Sequence, residues 1–283
     1  MGIEIADFDN NFQDDIFTSV IYEGRHINWG NNFYLNLTTE KDQNFHNTSK
    51  QNRTFNCGWA WGVAAVDLDL DGELELFIAN GNITRENKAR YDFEAMTTMS
   101  LPVSLMKDDR YRSPSLLTKS YAGRQRDCLF YKSNGRYWDI GPLVGVNDRL
   151  DGRAVIRFDY NNDGRLDLFV TNQDNFPILY KNEAVANLPQ NNWIGVSLKI
   201  KPGSEVNTDG DGTQISLFID GKRTQQRTVR PGNGYLTQND NRIIFGLGNI
   251  GASAKVKVAL RWTDGKTITI PIEKLNRYVE IER

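Results

Sequence analysis

Carboxylates recur in this chain at a spacing that builds a cage for a hard cation. The pattern D-x-[DN]-x-[DN]-x-x-x-[DE] occurs three times, at residues 7–15, 67–75 and 159–167. Positions 1, 3, 5 and 9 are Asp7, Asp9, Asn11 and Asp15 in the first copy. They are Asp67, Asp69, Asp71 and Glu75 in the second, and Asp159, Asn161, Asp163 and Asp167 in the third. At position 7, Glu73 in the second copy would add only its backbone carbonyl, and Arg165 is counted with the site residues of the third. Oxygen donors converging around a tight turn suit calcium, which takes about six to eight oxygen ligands in a flexible shell. One such loop alone reads equally well as a solvated acidic turn. Three in register, each between apolar strands, make Ca2+ the expected cofactor.

The loops are not EF-hands. An EF-hand lies between helices and needs a bidentate Glu at position 12, where this chain has Thr18, Ile78 and Val170. The flanks, such as residues 62–66 and 74–79 around the second loop, are short β-branched and aromatic runs that read as strands. The copies are unequal. Gly72 and Gly164 can turn with positive φ, whereas the first loop has Phe12 there, at a cost of about 1–2 kcal/mol in a left-handed conformation. The second and third loops are therefore expected to be the stronger sites, and the first weak.

The elements that must hold these loops repeat as well. Each loop is followed by an outgoing strand, an aromatic-leucine strand and a shorter strand, as in residues 128–132 and 136–140 after the second loop. Short strands at this spacing are the pattern of propeller blades. Residues 83–126 read as an insertion into the second unit, with helix expected near 91–99. From about residue 189 the acidic loops cease. Asp220-Gly221 and Asp264-Gly265 are hairpin turns. Val256, Val258, Leu260 and Trp262 alternate onto one face. The expectation is an all-β chain: about three blade units over 1–188, then an antiparallel β-sandwich-like domain over 189–283.

Composition narrows the classes. The 283 residues carry a formal charge of −2, which implies no bulk attraction to nucleic acid or to anionic membrane. No apolar run of about 18 residues exists, so no membrane-spanning helix is expected. The N-terminal residues show no signal segment. Cys57 and Cys128 read as two buried thiols, a bridge requiring adjacent strands to bring them together. Asparagine sequons begin at Asn36, Asn47, Asn52 and Asn82, as several should by chance in so Asn-rich a chain. With two histidines, His26 and His46, there is little material for a His-based triad, and no nucleophile elbow or phosphate loop occurs. Carboxylates that coordinate calcium are poor proton-transfer groups, because the cation holds them ionised. Trp59, Trp61, Trp138 and Trp193 are read as core, with sugar stacking as the other reading. The tract 205–212 reads as a Gly-rich hairpin loop, with another ion site on Asn207, Asp209 and Asp211 as the other reading.

Several segments carry a family resemblance. The strand-loop-strand units resemble FG-GAP (VCBS-type) repeats. Residues 230–238 (RPGNGYLTQ), 244–248 (IFGLG) and 261–265 (RWTDG) resemble the ASPIC/UnbV domain. Residues 57–62 (CGWAWG) resemble the tryptophan-glycine lead-in of the same family. Together they resemble the cartilage acidic protein-like family across nearly the whole chain. Two local departures are Phe12 in the first loop and Thr263-Asp264 where the family has Pro-Ser. The larger departure is length, since three blades cannot close a ring that typically needs about 4–8. Part of a longer propeller, or an abbreviated member with open blade edges, is expected; open edges would invite pairing with another chain. The resemblance implies a non-enzymatic, calcium-binding binding or adhesion module located extracellularly or in the periplasm, with an unidentified protein or glycan ligand. The alternatives are an accessory protein in natural-product biosynthesis, itself enzymatic in one version, and a carbohydrate-binding module.

Overall fold

The computed structural model describes residues 2–22, 29–85, 120, 122–184 and 190–283. The helix expected near 91–99 and His26 lie outside the described residues.

The chain is all-β, and its described residues form five sheets in a propeller-like arrangement. The expected count of three covers only the sheets that carry acidic loops. The first blade is β1 (Ile3–Ala6), β2 (Asp15–Thr18), β3 (Asn32–Asn36) and β4 (Phe45–Asn47). The second is β5 (Ala60–Val66), β6 (Glu75–Asn80), β7 (Cys128–Ser133) and β8 (Arg136–Asp139). The third stops at three strands, β9 (Gly152–Phe158), β10 (Asp167–Asn172) and β11 (Asn175–Tyr180). Beyond β11 the chain is used elsewhere, as Asn182 Nδ2 donates to Leu68 O of the second loop at 2.8 Å. Pro177 lies in β11, which forms the sheet edge, so that edge lacks a ladder donor.

Inner strands pack blade to blade. Gly62 permits this for β5 and β9, since a Cβ there would stand 2.6 Å from Arg153 O. The fully buried Val63, Leu76, Ile78 and Phe130 join Phe8, Phe17 and Phe33 of the first blade in one core. Cys57 and Cys128 lie in that core and form a disulfide, not two thiols. Residue 57 leads into β5 and residue 128 opens β7, and pairing of β6 with both strands brings the two together.

The C-terminal part holds two sheets. One is β15 (Ile243–Gly248), β12 (Asn192–Lys199) and β18 (Arg277–Glu282); the other is β14 (Lys222–Thr228), β13 (Gln214–Ile219), β16 (Val256–Arg261) and β17 (Thr267–Ile272). Ile194, Val196 and Phe245 of the first face Ile215, Leu217, Val258 and Leu260 of the second across a shared core. The hairpin turns expected at Asp220-Gly221 and Asp264-Gly265 join β13 to β14 and β16 to β17. One pairing departs from the antiparallel expectation: β12 and β18, the strands by which the chain enters and leaves, run parallel.

Where open blade edges were expected, residues 230–240 fill the gap. Gly234 N–H donates to Ile3 O of β1 at 2.7 Å, and Arg157 N–H of β9 donates to Asn239 Oδ1 at 3.0 Å. The buried Glu4 pairs with Arg157 and accepts Asn233 Nδ2 at 3.2 Å. The C-terminal unit thus bonds directly to β1 and β9, the inner strands of the first and third blades.

Two smaller expectations resolve. Trp59 and Trp193 are buried as read, but Trp138 is 48% exposed, with the Arg53 guanidinium 3.9 Å from its ring centre. It sits on β8, at the outer edge of its sheet, where no further layer covers it. In the 205–212 tract, Asn207 closes a turn by bonding Asp211 N–H and O, each at 2.8 Å.

Candidate metal centre

Each acidic loop is closed by the same strand pair: Ala6 opposite Asp15, Val66 opposite Glu75, and Phe158 opposite Asp167. That register places position 1 at the end of one strand and position 9 at the start of the next. The position-1 carboxylate then folds the turn. Asp7 accepts N–H from Asn11 and Phe12 at 3.0 and 2.9 Å. Asp67 accepts from Asp71 and Gly72 at 3.1 and 3.0 Å, and Asp159 from Asp163 and Gly164 at 3.1 and 2.7 Å. Position 5 caps position 7: Asn11 accepts from Gln13 at 2.8 Å, Asp71 from Glu73 at 2.7 Å and Asp163 from Arg165 at 2.9 Å. The three loops are one structure repeated.

Phe12 does not spoil the first copy. Its φ of 71° matches Gly72 at 89° and Gly164 at 86°. The left-handed backbone is held from outside, by Gln226 Nε2 donating to Phe12 O at 3.0 Å and by Arg223 stacked 3.8 Å over the phenyl ring.

The loops differ in what their oxygens lack. In the first and third, position 9 spends both oxygens on backbone. Asp15 accepts Phe8 and Asn36 N–H at 2.8 and 2.7 Å, and Asp167 accepts Tyr160 and Asn182 at 3.2 and 2.8 Å. In the second, the longer Glu75 accepts Leu68 N–H at 2.9 Å through Oε2, while its buried Oε1 has no donor among the described residues. Asp69 is similar: Oδ2 accepts the Tyr131 hydroxyl at 2.9 Å, and the buried Oδ1 has no donor among the described residues. Buried acceptors without donors are costly, and a cation satisfies them.

Carboxylate oxygens of Asp67, Asp69 and Asp71 lie within 4.8 Å of one another, as do those of Asp7, Asp9 and Asp15. The third loop shows no such trio among the described residues. Its Asn161 replaces a carboxylate, and Asn161 Nδ2 donates to Asp163 Oδ2 at 2.9 Å. The sequence ranks loops two and three ahead of loop one; the structure gathers carboxylates in loops one and two.

Burial, and then mutual repulsion, raises these acids. Desolvation lifts Asp67 to about 7, opposed by Arg227 and reinforced by Asp71 and Asp69. It lifts Asp7 to about 6, Asp15 to about 7, and Glu75 well above the usual carboxylate range. Asp71 and Asp167 also rise by desolvation. Such a donor set, all hard oxygens with two unpartnered, fits a calcium-type ion.

The C-terminal unit reaches every loop, a feature with no short-range sequence signal. Gly246 N–H donates to Asp67 Oδ2 at 3.2 Å and Gly248 N–H to Leu70 O at 2.8 Å. A Cβ on Gly246 would stand 2.3 Å from Asp67 Oδ2, so only glycine allows this approach. Arg230 pairs with Asp14 at 2.6 Å. The Tyr278 hydroxyl donates to Asp159 Oδ2 at 2.6 Å, and Arg242 donates to Asp159 O at 2.9 Å.

Residues 203–283 match the ASPIC and UnbV family model. The chain is 23% identical over 248 residues to cartilage acidic protein 1 of Mus musculus, covering 78% of this chain and 36% of that protein. It is 23% identical over 247 residues to cartilage acidic protein 1 of Homo sapiens, and 24% over 236 residues to that of Xenopus tropicalis. The matched stretch spans about a third of each relative's length. The chain therefore carries an ASPIC/UnbV domain at its C-terminus and is distantly homologous, over most of its length, to cartilage acidic protein 1.

Proposed function

We propose that this protein is a non-enzymatic, calcium-binding propeller-repeat module that presents a surface to a protein or glycan partner outside the cytoplasm. The observation that carries the calcium reading is the pair of buried carboxylate oxygens without donors, Asp69 Oδ1 and Glu75 Oε1, within one loop. Asp67, Asp69, Asp71 and Glu75 would hold the ion, with the Glu73 carbonyl as a further donor. Asp7, Asp9, Asn11 and Asp15 would form a second site. In the third loop Asp159, Asn161, Asp163 and Asp167, with the Arg165 carbonyl, would need Asn161 to turn its amide oxygen inward. The ion supplies charge neutralisation and ties together the two strands of a blade. Extracellular modules bind calcium at about 10⁻⁴–10⁻³ M, so external concentrations suffice.

Two observations support the location. The buried disulfide belongs to oxidising compartments. Over most of its length the chain is similar to a protein named for cartilage. Among the described residues no helix is long and apolar enough to cross a membrane.

The test is a thermal melt of the chain in calcium, in magnesium and in chelator. A calcium-specific rise in Tm is expected. Identical melts in all three would leave the loops as solvated acidic turns.

A further inference from the structure

A cleft of about 720 Å³ opens between the second and third blades. Small-molecule sites are typically about 300–1,000 Å³, apolar, with a few placed polar groups. The walls here are aliphatic: Leu129, Ile140 and Val146 on one side, Leu166, Leu168 and Leu179 on the other. Val144 and Leu179 remain 54% and 44% exposed at this cleft, beside Leu143 at 84%. Apolar surface left open around a concavity marks a ligand groove.

The lining carries four charged side chains, Asp69, Arg165, Lys181 and Glu183, which sum to zero but are not all paired with one another. Asp69 is engaged by the Tyr131 hydroxyl at 2.9 Å and belongs to the second loop's carboxylate cage. Lys181 and Glu183 pair with each other at 2.7 Å. Arg165 bonds the neutral amide of Gln190, and no carboxylate pairs with it among the described residues. A guanidinium with unspent donors at an apolar cleft is a receptor for a carboxylate, which it grips with two parallel N–H bonds.

We propose that this cleft binds a small amphipathic anion, its aliphatic body along the leucine walls and its carboxylate on Arg165. The inference goes beyond the calcium reading and does not depend on it. The cleft uses the Arg165 side chain, whereas the third loop would use only the Arg165 backbone carbonyl.

Octanoate, kept at submillimolar concentration where its calcium salt stays dissolved, is the probe. It is titrated calorimetrically into the full chain, once in calcium and once in chelator. Saturable binding of one molecule per chain is expected in at least one condition. Leu179→Trp, which fills the cleft from a half-exposed position outside the loops, should weaken binding at least about tenfold. Arg165→Gln keeps length and loses charge, and should weaken it about tenfold. Octyltrimethylammonium, with the same chain and the opposite charge, should bind at least about tenfold more weakly than octanoate. Melts establish that both variants are folded. Absence of saturation in both conditions, wild-type affinity in either variant, or equal affinity for the cationic probe would overturn the proposal. Because calcium occupancy is read by the separate melt, loss of the calcium reading and loss of this one are distinguishable.

Discussion

Replacing Asp69 by asparagine separates two roles that the second loop gives it. Asp69 Oδ2 accepts the Tyr131 hydroxyl at 2.9 Å, a bond the asparagine carbonyl also accepts, whereas Oδ1 has no donor. The substitution therefore removes charge and leaves shape. In chelator, losing one of three carboxylates gathered within 4.8 Å relieves the repulsion on Asp67, so stability should hold or rise slightly. In calcium the sign reverses. An ion at about 10 mM, bound at about 10⁻⁴–10⁻³ M, stabilises by about 1.4–2.7 kcal/mol per site. In a chain of this size that corresponds to about 3–10 °C in Tm. Asp69→Asn should abolish most of that increment at the second loop. The assay is calorimetry of wild type and variant, each in calcium and in chelator. An equal loss in both conditions would refute the ligand role and leave Asp69 as a partner for Tyr131.

Four further outcomes are expected. In chelator, Asp67 and Asp15 are raised to about 7 in the folded state, above their unfolded value, so folding takes up protons. Stability should thus increase as pH falls from about 8 through 7 and level off below about 4; in saturating calcium the slope over the same range should flatten or reverse, which melts across pH would show. Gly246→Ala pushes a methyl against Asp67 and the Leu70 backbone, at 2.3 and 2.4 Å, and should cost about 2 kcal/mol or more in urea unfolding, together with a loss of calcium response. Tyr278→Phe removes the hydroxyl donor to Asp159 and should cost about 1.5–3 kcal/mol, measured the same way. Cys57→Ser with Cys128→Ser opens a covalent loop of separation 71 and should cost about 4 kcal/mol, an entropic figure that urea midpoints check.

The loops were legible because their geometry is local. Asp at position 1 and Asx at position 5 each satisfy a backbone group within a few residues, and Gly at position 6 of the second and third loops permits the positive φ, so residue type and spacing suffice. The same holds for the two Asp-Gly hairpins and for the alternation of Val256, Val258, Leu260 and Trp262, all buried on one face. Long-range partners were not legible. Nothing near Phe12 announces that Arg223 and Gln226 will hold its strained turn. Nothing near Gly234 announces that it will bond Ile3. The cysteine pair depended on strand order, with β6 standing between the two segments, and a separation of 71 residues carries no register. The reordering of the loops turned on how side chains meet across the turn: Asp15 gathers with Asp7 and Asp9 despite Phe12, whereas Asn161 takes a carboxylate's place in the third loop and its amide donates to Asp163.

The disulfide closes a circuit around everything between β5 and β7. Strands β5 and β6 lie on one side of residues 86–119 and β7 and β8 on the other, yet all belong to one sheet. A protease that cut the chain anywhere in that interval would not release either piece. The nicked protein would travel as a single species until a reductant was added, and only then resolve into two fragments. The second blade, and the loop most suited to hold an ion, would outlast a cut in the chain between its strands.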